Sequence, residues 1–169
     1  MNRIAVVGSG GAGKSTFSRE LSQITGLPLV HLDRHYWKPG WIETPLEEWR
    51  VLQSELIAGD NWIVDGNYYR TFDLRFDRAD TVIVLAFSRY RCLLRAFLRT
   101  TGNYGKCLQS EGCPERFELE FYQWIWNFPK NVLPELYSIL DSYGENLNVI
   151  KLKTPRQVEN YLKLLREKT

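Results

Sequence analysis

Cysteine is scarce in this chain: Cys92, Cys107 and Cys113 are the only three in 169 residues. An odd and sparse set excludes the disulfide framework that holds small secreted domains together. A structural zinc site wants four ligands with closely paired cysteines, and only Cys107 and Cys113 lie near each other. Long hydrophobic runs are missing too. The first apolar run, Ile4 to Val7, falls far short of the ~20 residues of a membrane span and ends in glycines rather than a cleavage site. No targeting or membrane segment is evident, and a reducing cytoplasm is the expected setting. Nor is there an excess of one charge: the formal net charge of +2 lacks the concentrated basic face of a nucleic-acid binder. The chain contains no internal repeat, low-complexity tract or interdomain linker.

What is present is ordinary globular composition, 44% hydrophobic and 25% charged, in a length that suits one domain over residues 1–169. Arg3 to Val7 reads as a short buried strand that runs into a glycine-rich turn and a helix from Lys14 to Thr25. Gly26 and Pro28 break that helix, and Leu29 to Leu32 form a second strand ending at Asp33. Residues 34 to 44 look like loop. Pro45 opens a helix with Leu46, Trp49, Leu52, Leu56 and Ile57 at helical spacing, ended by Gly59. Trp62 to Val64 is a third strand, closed by Asp65 and Gly66, and Thr81 to Phe87 is a fourth whose continuous apolar run implies burial on both faces. A helix from Arg89 leads into a polar, glycine-containing stretch, Gly102 to Gly112, which reads as a mobile lid inserted at about residues 100–117. Phe117 to Phe128 and Val132 to Tyr143 look helical, separated by Pro129, and Leu147 to Leu152 supply a fifth strand. Thr154, Pro155 and Gln157 then make a helix start with an N-cap, a first-turn proline and a capping-box glutamine. Strands alternating with helices imply an α/β fold with a parallel sheet.

The segment Gly8, Ser9, Gly10, Gly11, Ala12, Gly13, Lys14, Ser15 satisfies the Walker A spacing, and Thr16 adds a second hydroxyl. Glycines allow successive N–H groups to point inward at phosphate oxygens, and the following helix aims its positive end at the same place. Lys14 is expected on the β and γ phosphates of ATP, Ser15 on Mg²⁺ and Thr16 on the α phosphate. Gly8, Gly10 and Gly13 also satisfy a dinucleotide fingerprint, with Asp33 about 20 residues on. Lys14 and Ser15 directly after Gly13 decide for a triphosphate with metal.

Beyond this loop stand His31-Leu32-Asp33 followed by Trp37, Pro39, Gly40 and Trp41; Asp65-Gly66-Asn67-Tyr68; Gly112-Cys113-Pro114-Glu115-Arg116; and an aromatic helix around Trp124 and Trp126. Together these motifs cover most of the chain, which resembles the adenylate-kinase-related group of DNA topology modulation (FlaR-related) proteins. More broadly it is similar to nucleoside monophosphate kinases. The resemblance implies a P-loop NTPase fold of three α/β/α layers, a five-stranded parallel sheet of order 2-3-1-4-5 and a helical lid. It also implies an ATP-dependent phosphotransferase whose partners are ATP and a small-molecule acceptor. A nucleotide-dependent regulator associated with DNA and a simple NTPase are the alternatives. The group's name admits DNA as a partner, against which the small net charge and the lack of a basic, aromatic-interleaved stripe argue. Monomer and homodimer both stay open.

The same resemblance supplies candidate roles on the acceptor side. Asp65-Gly66 resembles the Asp-Gly that opens the acceptor segment of adenylate kinases, but Asn67-Tyr68-Tyr69-Arg70 is one residue longer than their Phe-Pro-Arg. Asn67 and Arg70 are candidates for acceptor binding, Arg70 for an anionic group. Asp33 and Asp65 end strands two and three, where an open parallel sheet presents its carboxyl edge to a ligand. One is expected to serve Mg²⁺ through water, with Asp65 the candidate. The other orients or deprotonates an acceptor hydroxyl, as the strand-two aspartate does in the similar shikimate and gluconate kinases. Trp37 belongs to an aromatic-rich loop that can line an acceptor pocket or simply pack in the core. Arg91, Arg95 and Arg99 recur every four residues on one side of a helix. Arg95 and Arg99 match the paired arginines at the lid entrance of adenylate kinases, which meet adenine and phosphates, and Arg116 after the lid is a third candidate. Pro155 follows strand five, where related kinases wall off the adenine, so Pro155 against Arg95 is the expected base sandwich.

Overall fold

The computed structural model describes residues 1–167. Its centre is a five-stranded, wholly parallel sheet of β1 (Arg3–Gly8), β2 (Leu29–His31), β5 (Trp62–Asp65), β6 (Thr81–Leu85) and β7 (Asn148–Leu152). Across the sheet they lie in the order β2-β5-β1-β6-β7. A two-stranded antiparallel hairpin of β3 (Trp37–Lys38) and β4 (Ile42–Glu43) stands apart. With the hairpin set aside, this is the expected order 2-3-1-4-5.

The apolar strands are buried on both faces because alternate side chains serve two cores. Ala5 and Val7 of β1, Val64 of β5 and Val82 and Val84 of β6 belong to one core. It is closed by Trp49 of α3 (Leu46–Leu56), Phe72 and Phe76 of α4 (Phe72–Phe76) and Leu136 and Leu140 of α7 (Leu133–Ser142). Ile4, Val6, Ile63, Ile83 and Leu85 face the other way. They meet Phe17 and Leu21 of α1 (Lys14–Thr25), Cys92 and Ala96 of α5 (Arg89–Gly102), Ile125 of α6 (Leu119–Asn131) and Leu162 of α8 (Pro155–Arg166). The result is a helix–sheet–helix sandwich. Among the described residues, no helix is long and apolar enough to cross a membrane.

Two segments differ from expectation. Residues 34–44 are not plain loop: a helical turn, α2 (Asp33–Tyr36), leads into the β3–β4 hairpin, which turns at Gly40 and at Trp41 with φ 64°. Elements this short carry no readable periodicity. The aromatic helix starts at Leu119 rather than Phe117 and runs through Pro129 to Asn131. Proline there removes one hydrogen bond in the last turns, and burial of Ile125 and Phe128 keeps the helix in line.

Residues 103–118, between α5 and α6, contain no helix, so the expected helical lid is a loop, and it rests on α2 and the hairpin. The Gly40 amide donates to the Gly112 carbonyl at 2.8 Å. The Trp41 indole N–H donates to the Pro114 carbonyl at 2.9 Å, and the Ser110 hydroxyl to the Asp33 carbonyl at 2.8 Å.

Candidate functional site

β1 delivers its chain directly into the glycine loop, and the loop is pressed against its neighbours. A side chain at Gly8 would come within 2.6 Å of the Leu85 carbonyl, and one at Gly11, where φ is +70°, would run into the Cys92 carbonyl on α5. Only glycine fits either place. Gly13 then starts α1, whose first residues Lys14, Ser15 and Thr16 face the principal cleft. The Lys14 ammonium donates to the carbonyls of Gly8 at 2.9 Å and Ser9 at 3.1 Å. Burial pulls its pKa below the ordinary lysine value, while Asp33 and Asp65 pull the other way.

Asp33 and Asp65 reach the cleft from the carboxyl ends of β2 and β5, as the parallel sheet requires. Asp65 is 4% exposed. One of its oxygens lies 2.9 Å from His31 Nδ1, and the other has no hydrogen-bond partner among the described residues. His31 was not foreseen as part of the site. Its place follows from the register of β2 on β5, which sets His31 beside Asp65. Asp33 accepts a hydrogen bond from the Tyr68 hydroxyl at 2.5 Å. Burial, reinforced by the Asp33 charge, raises the Tyr68 pKa far above its usual value, so this proton stays on the phenol. Asn67 ties its segment to the glycine loop by accepting from the Gly8 amide at 3.0 Å, and its own amide nitrogen is buried without a partner among the described residues.

The segment from Asp65 to Tyr68 is held from behind by Arg75, another residue that was not foreseen. Its guanidinium donates to the carbonyls of Gly66 at 2.6 Å, Tyr68 at 3.3 Å and, by a short bond, Asn67. These bonds offset the left-handed backbone of Tyr68, φ 41°.

The cleft has a volume of about 900 Å³, inside the usual range of about 300–1,000 Å³ for ligand sites. Arg95, Arg99 and Arg116 all line it, as do Trp37, Asp65 and Asn67. Arg95 packs on the loop at Gly13 and its Nη1 lies 3.4 Å from the Ala12 carbonyl. Arg99 is turned toward the lid, where Nε meets the buried Glu115 carboxylate at 3.3 Å. Gln109 donates to the other Glu115 oxygen at 2.9 Å. Arg116 pairs with Glu118 at 2.7 Å on the surface. Two further cations, Arg19 and Arg34, line the cleft without having been singled out in the sequence.

Two expected residues stand elsewhere. Arg70 is exposed, donates to the Tyr69 hydroxyl at 3.3 Å, and borders an adjoining cavity of about 290 Å³ that shares Tyr36, Glu43, Tyr68 and Tyr69 with the cleft. Pro155 occupies the first turn of α8 and is not among the residues that line the cleft.

The donor set suits a nucleotide with Mg²⁺: a backbone cradle, a lysine, a free serine hydroxyl and one orphaned buried carboxylate oxygen. Among the described residues, no group of three or more His, Cys, Asp or Glu is arranged to hold a metal by itself. Mg²⁺ needs no such cage when phosphates and water complete its shell.

No protein-family model and no curated protein matches the sequence. Solved structures do. A gluconokinase from Sinorhizobium meliloti 1021 superposes with a TM-score of 0.55 at 15% identity, covering 99% of this chain and 94% of that one. A shikimate kinase from Bacteroides thetaiotaomicron superposes with a TM-score of 0.52 at 17% identity, covering 98% and 96%. The chain has the α/β fold of these P-loop kinases, with the five-stranded parallel sheet anticipated from its sequence.

Proposed function

We propose that this protein is a small-molecule kinase that transfers the γ-phosphoryl group of ATP to a hydroxyl of a small acceptor. One observation carries the reading: the glycine loop, two strand-end aspartates and Arg95, Arg99 and Arg116 share a single cleft. In this reading the loop amides and the start of α1 hold the phosphates, and Lys14 neutralises charge on the β and γ groups. Mg²⁺ would be held by Ser15 and, through water, by Asp65, and it supplies further neutralisation of the phosphates. His31 fixes the Asp65 carboxylate in one orientation.

Asp33 receives the acceptor hydroxyl, with its second oxygen occupied by Tyr68. The acceptor oxygen bonds to the γ phosphorus, the bond to the β–γ bridging oxygen breaks, ADP departs, and Asp33 takes the proton. Arg95 and Arg116 bear on charge spread over the equatorial oxygens. The lid excludes water, which would otherwise take the phosphoryl group in place of the acceptor. The hydroxylated acids named in the two structural neighbours, gluconate and shikimate, are the first acceptors to try.

The test is acceptor-dependent ADP release, screened over sugar acids, shikimate, nucleosides and nucleoside monophosphates. Stimulation by one class, lost in Lys14→Ala and Asp33→Asn, is expected. Release that no acceptor changes but that Lys14→Ala abolishes would point to a plain NTPase.

A further inference from the structure

Helix α5 buries Cys92, Ala96 and Thr100 and exposes the opposite side. That side is apolar. Tyr90, Leu94, Phe97 and Leu98 are 69%, 58%, 49% and 58% exposed, at the i, i+4, i+7, i+8 spacing of a single stripe. Helix α6 runs antiparallel beside it: Tyr90 meets Trp126 edge-on at 5.6 Å, and Phe97 meets Phe117, just before α6, at 5.7 Å. Phe117 and Leu119 extend the stripe with 52% and 72% exposure. These six side chains offer on the order of 700 Å² of apolar surface, taking roughly 200 Å² for a large side chain fully exposed. A monomer rarely leaves so large a contiguous patch open, and it is most of the roughly 800 Å² per partner in a standard interface.

Charges of opposite sign flank the two ends of this apolar ridge. At the Trp126 end stand Arg89, stacked 4.6 Å over that indole, the exposed Arg91 and, one turn along α6, Lys130. At the Leu119 end, where the ridge meets the rim of the cleft, stand Glu118, paired with Arg116, and the acidic side chain of Glu120, unpaired among the described residues, which leave that end net acidic. We infer that this ridge is a homodimer interface in which a second copy of the chain lies antiparallel across it. A two-fold arrangement sets the basic end of each copy on the acidic end of the other while burying both apolar stripes. An anionic membrane surface would meet the basic end but be repelled by Glu118 and Glu120, so the second copy is the better fit.

Sedimentation velocity on the full chain, at about 1 to 100 µM where modest interfaces associate, reads the result directly. A species of twice the 19.8 kDa chain mass is expected. Leu98→Glu, an exposed change whose fold is checked by its melting curve, is expected to weaken association at least tenfold. Arg91→Glu alone should weaken it, and adding Glu118→Lys to that variant should restore it. A monomer throughout the range overturns the inference, as does a dimer indifferent to Leu98→Glu or a double reversal that fails to restore what the single one lost. A monomer that co-sediments with phosphatidylserine vesicles would assign the ridge to lipid instead.

Discussion

Arg75 is wholly buried beside the stacked rings of Phe72 and Phe76, 5.0 and 6.0 Å away, and its guanidinium meets main-chain carbonyls rather than a carboxylate. Burial pushes its pKa down to about 9, with Tyr68, Asp65 and Asp73 opposing. It remains a cation at neutral pH. Replacing it by methionine strands the carbonyls of residues 66 to 68, a cost of about 3 kcal/mol, which is roughly 6–12 °C in Tm for a chain of this size. Arg75→Lys should recover only part of that, because an ammonium cannot fork to several acceptors; a thermal melt of the three proteins checks both. Asp80 makes a pH-dependent counterpart. Its carboxylate accepts from the amides of Asn2 at 2.7 Å and Arg3 at 2.9 Å and from the Thr81 hydroxyl at 2.8 Å. Burial works against the charge, but these bonds prevail and hold the pKa below 3.8. The folded-state pKa is depressed, so the stabilisation is complete above pH 3.8 and is lost as pH falls through the lower value. Asp80→Asn should therefore lose about 1 kcal/mol at neutral pH, allowing for solvent screening, and show a flatter melting profile below pH 4. Neither residue announces itself in the sequence. An arginine bound to backbone and a turn aspartate are recognisable only when distant segments have met.

At the scale of elements, the sequence is most readable where local chemistry decides alone. α1 spans Lys14–Thr25 as expected, since a glycine loop precedes it and Gly26, at φ 72°, stops it. α8 begins with the full capping box: Thr154 accepts from the Gln157 amide at 3.2 Å, and the Gln157 side chain returns to the Thr154 amide at 3.2 Å. Thr154→Ala should cost about 1 kcal/mol, with the loss of amide protection in hydrogen exchange confined to the first turn of α8. Where tertiary contact decides, local reading fails. The hairpin at 37–43 is held at Gly112 and Pro114 by the loop between α5 and α6. Arg99 lines the cleft with Arg95, and its contact with Glu115, sixteen residues away, is one that helical spacing does not show.

For the whole molecule, alternating apolar strands and helices implied the parallel sheet, and the sheet's carboxyl edge then brings Asp33 and Asp65 to the glycine loop. That much of the site was readable because strand ends and a loop motif are local features with a fixed place in this fold. The His31–Asp65 pair was not, because it depends on the register of two strands far apart in sequence. The central claim is transfer of the γ-phosphoryl group to an acceptor rather than to water. It is tested most directly by following the label of γ-³²P-ATP with Mg²⁺ in the presence of the acceptor that most stimulates ADP release. The account predicts label in an acid-stable phosphorylated acceptor, absent with Lys14→Ala and strongly reduced with Asp33→Asn. Label recovered only as inorganic phosphate, at a rate no acceptor changes, would contradict it.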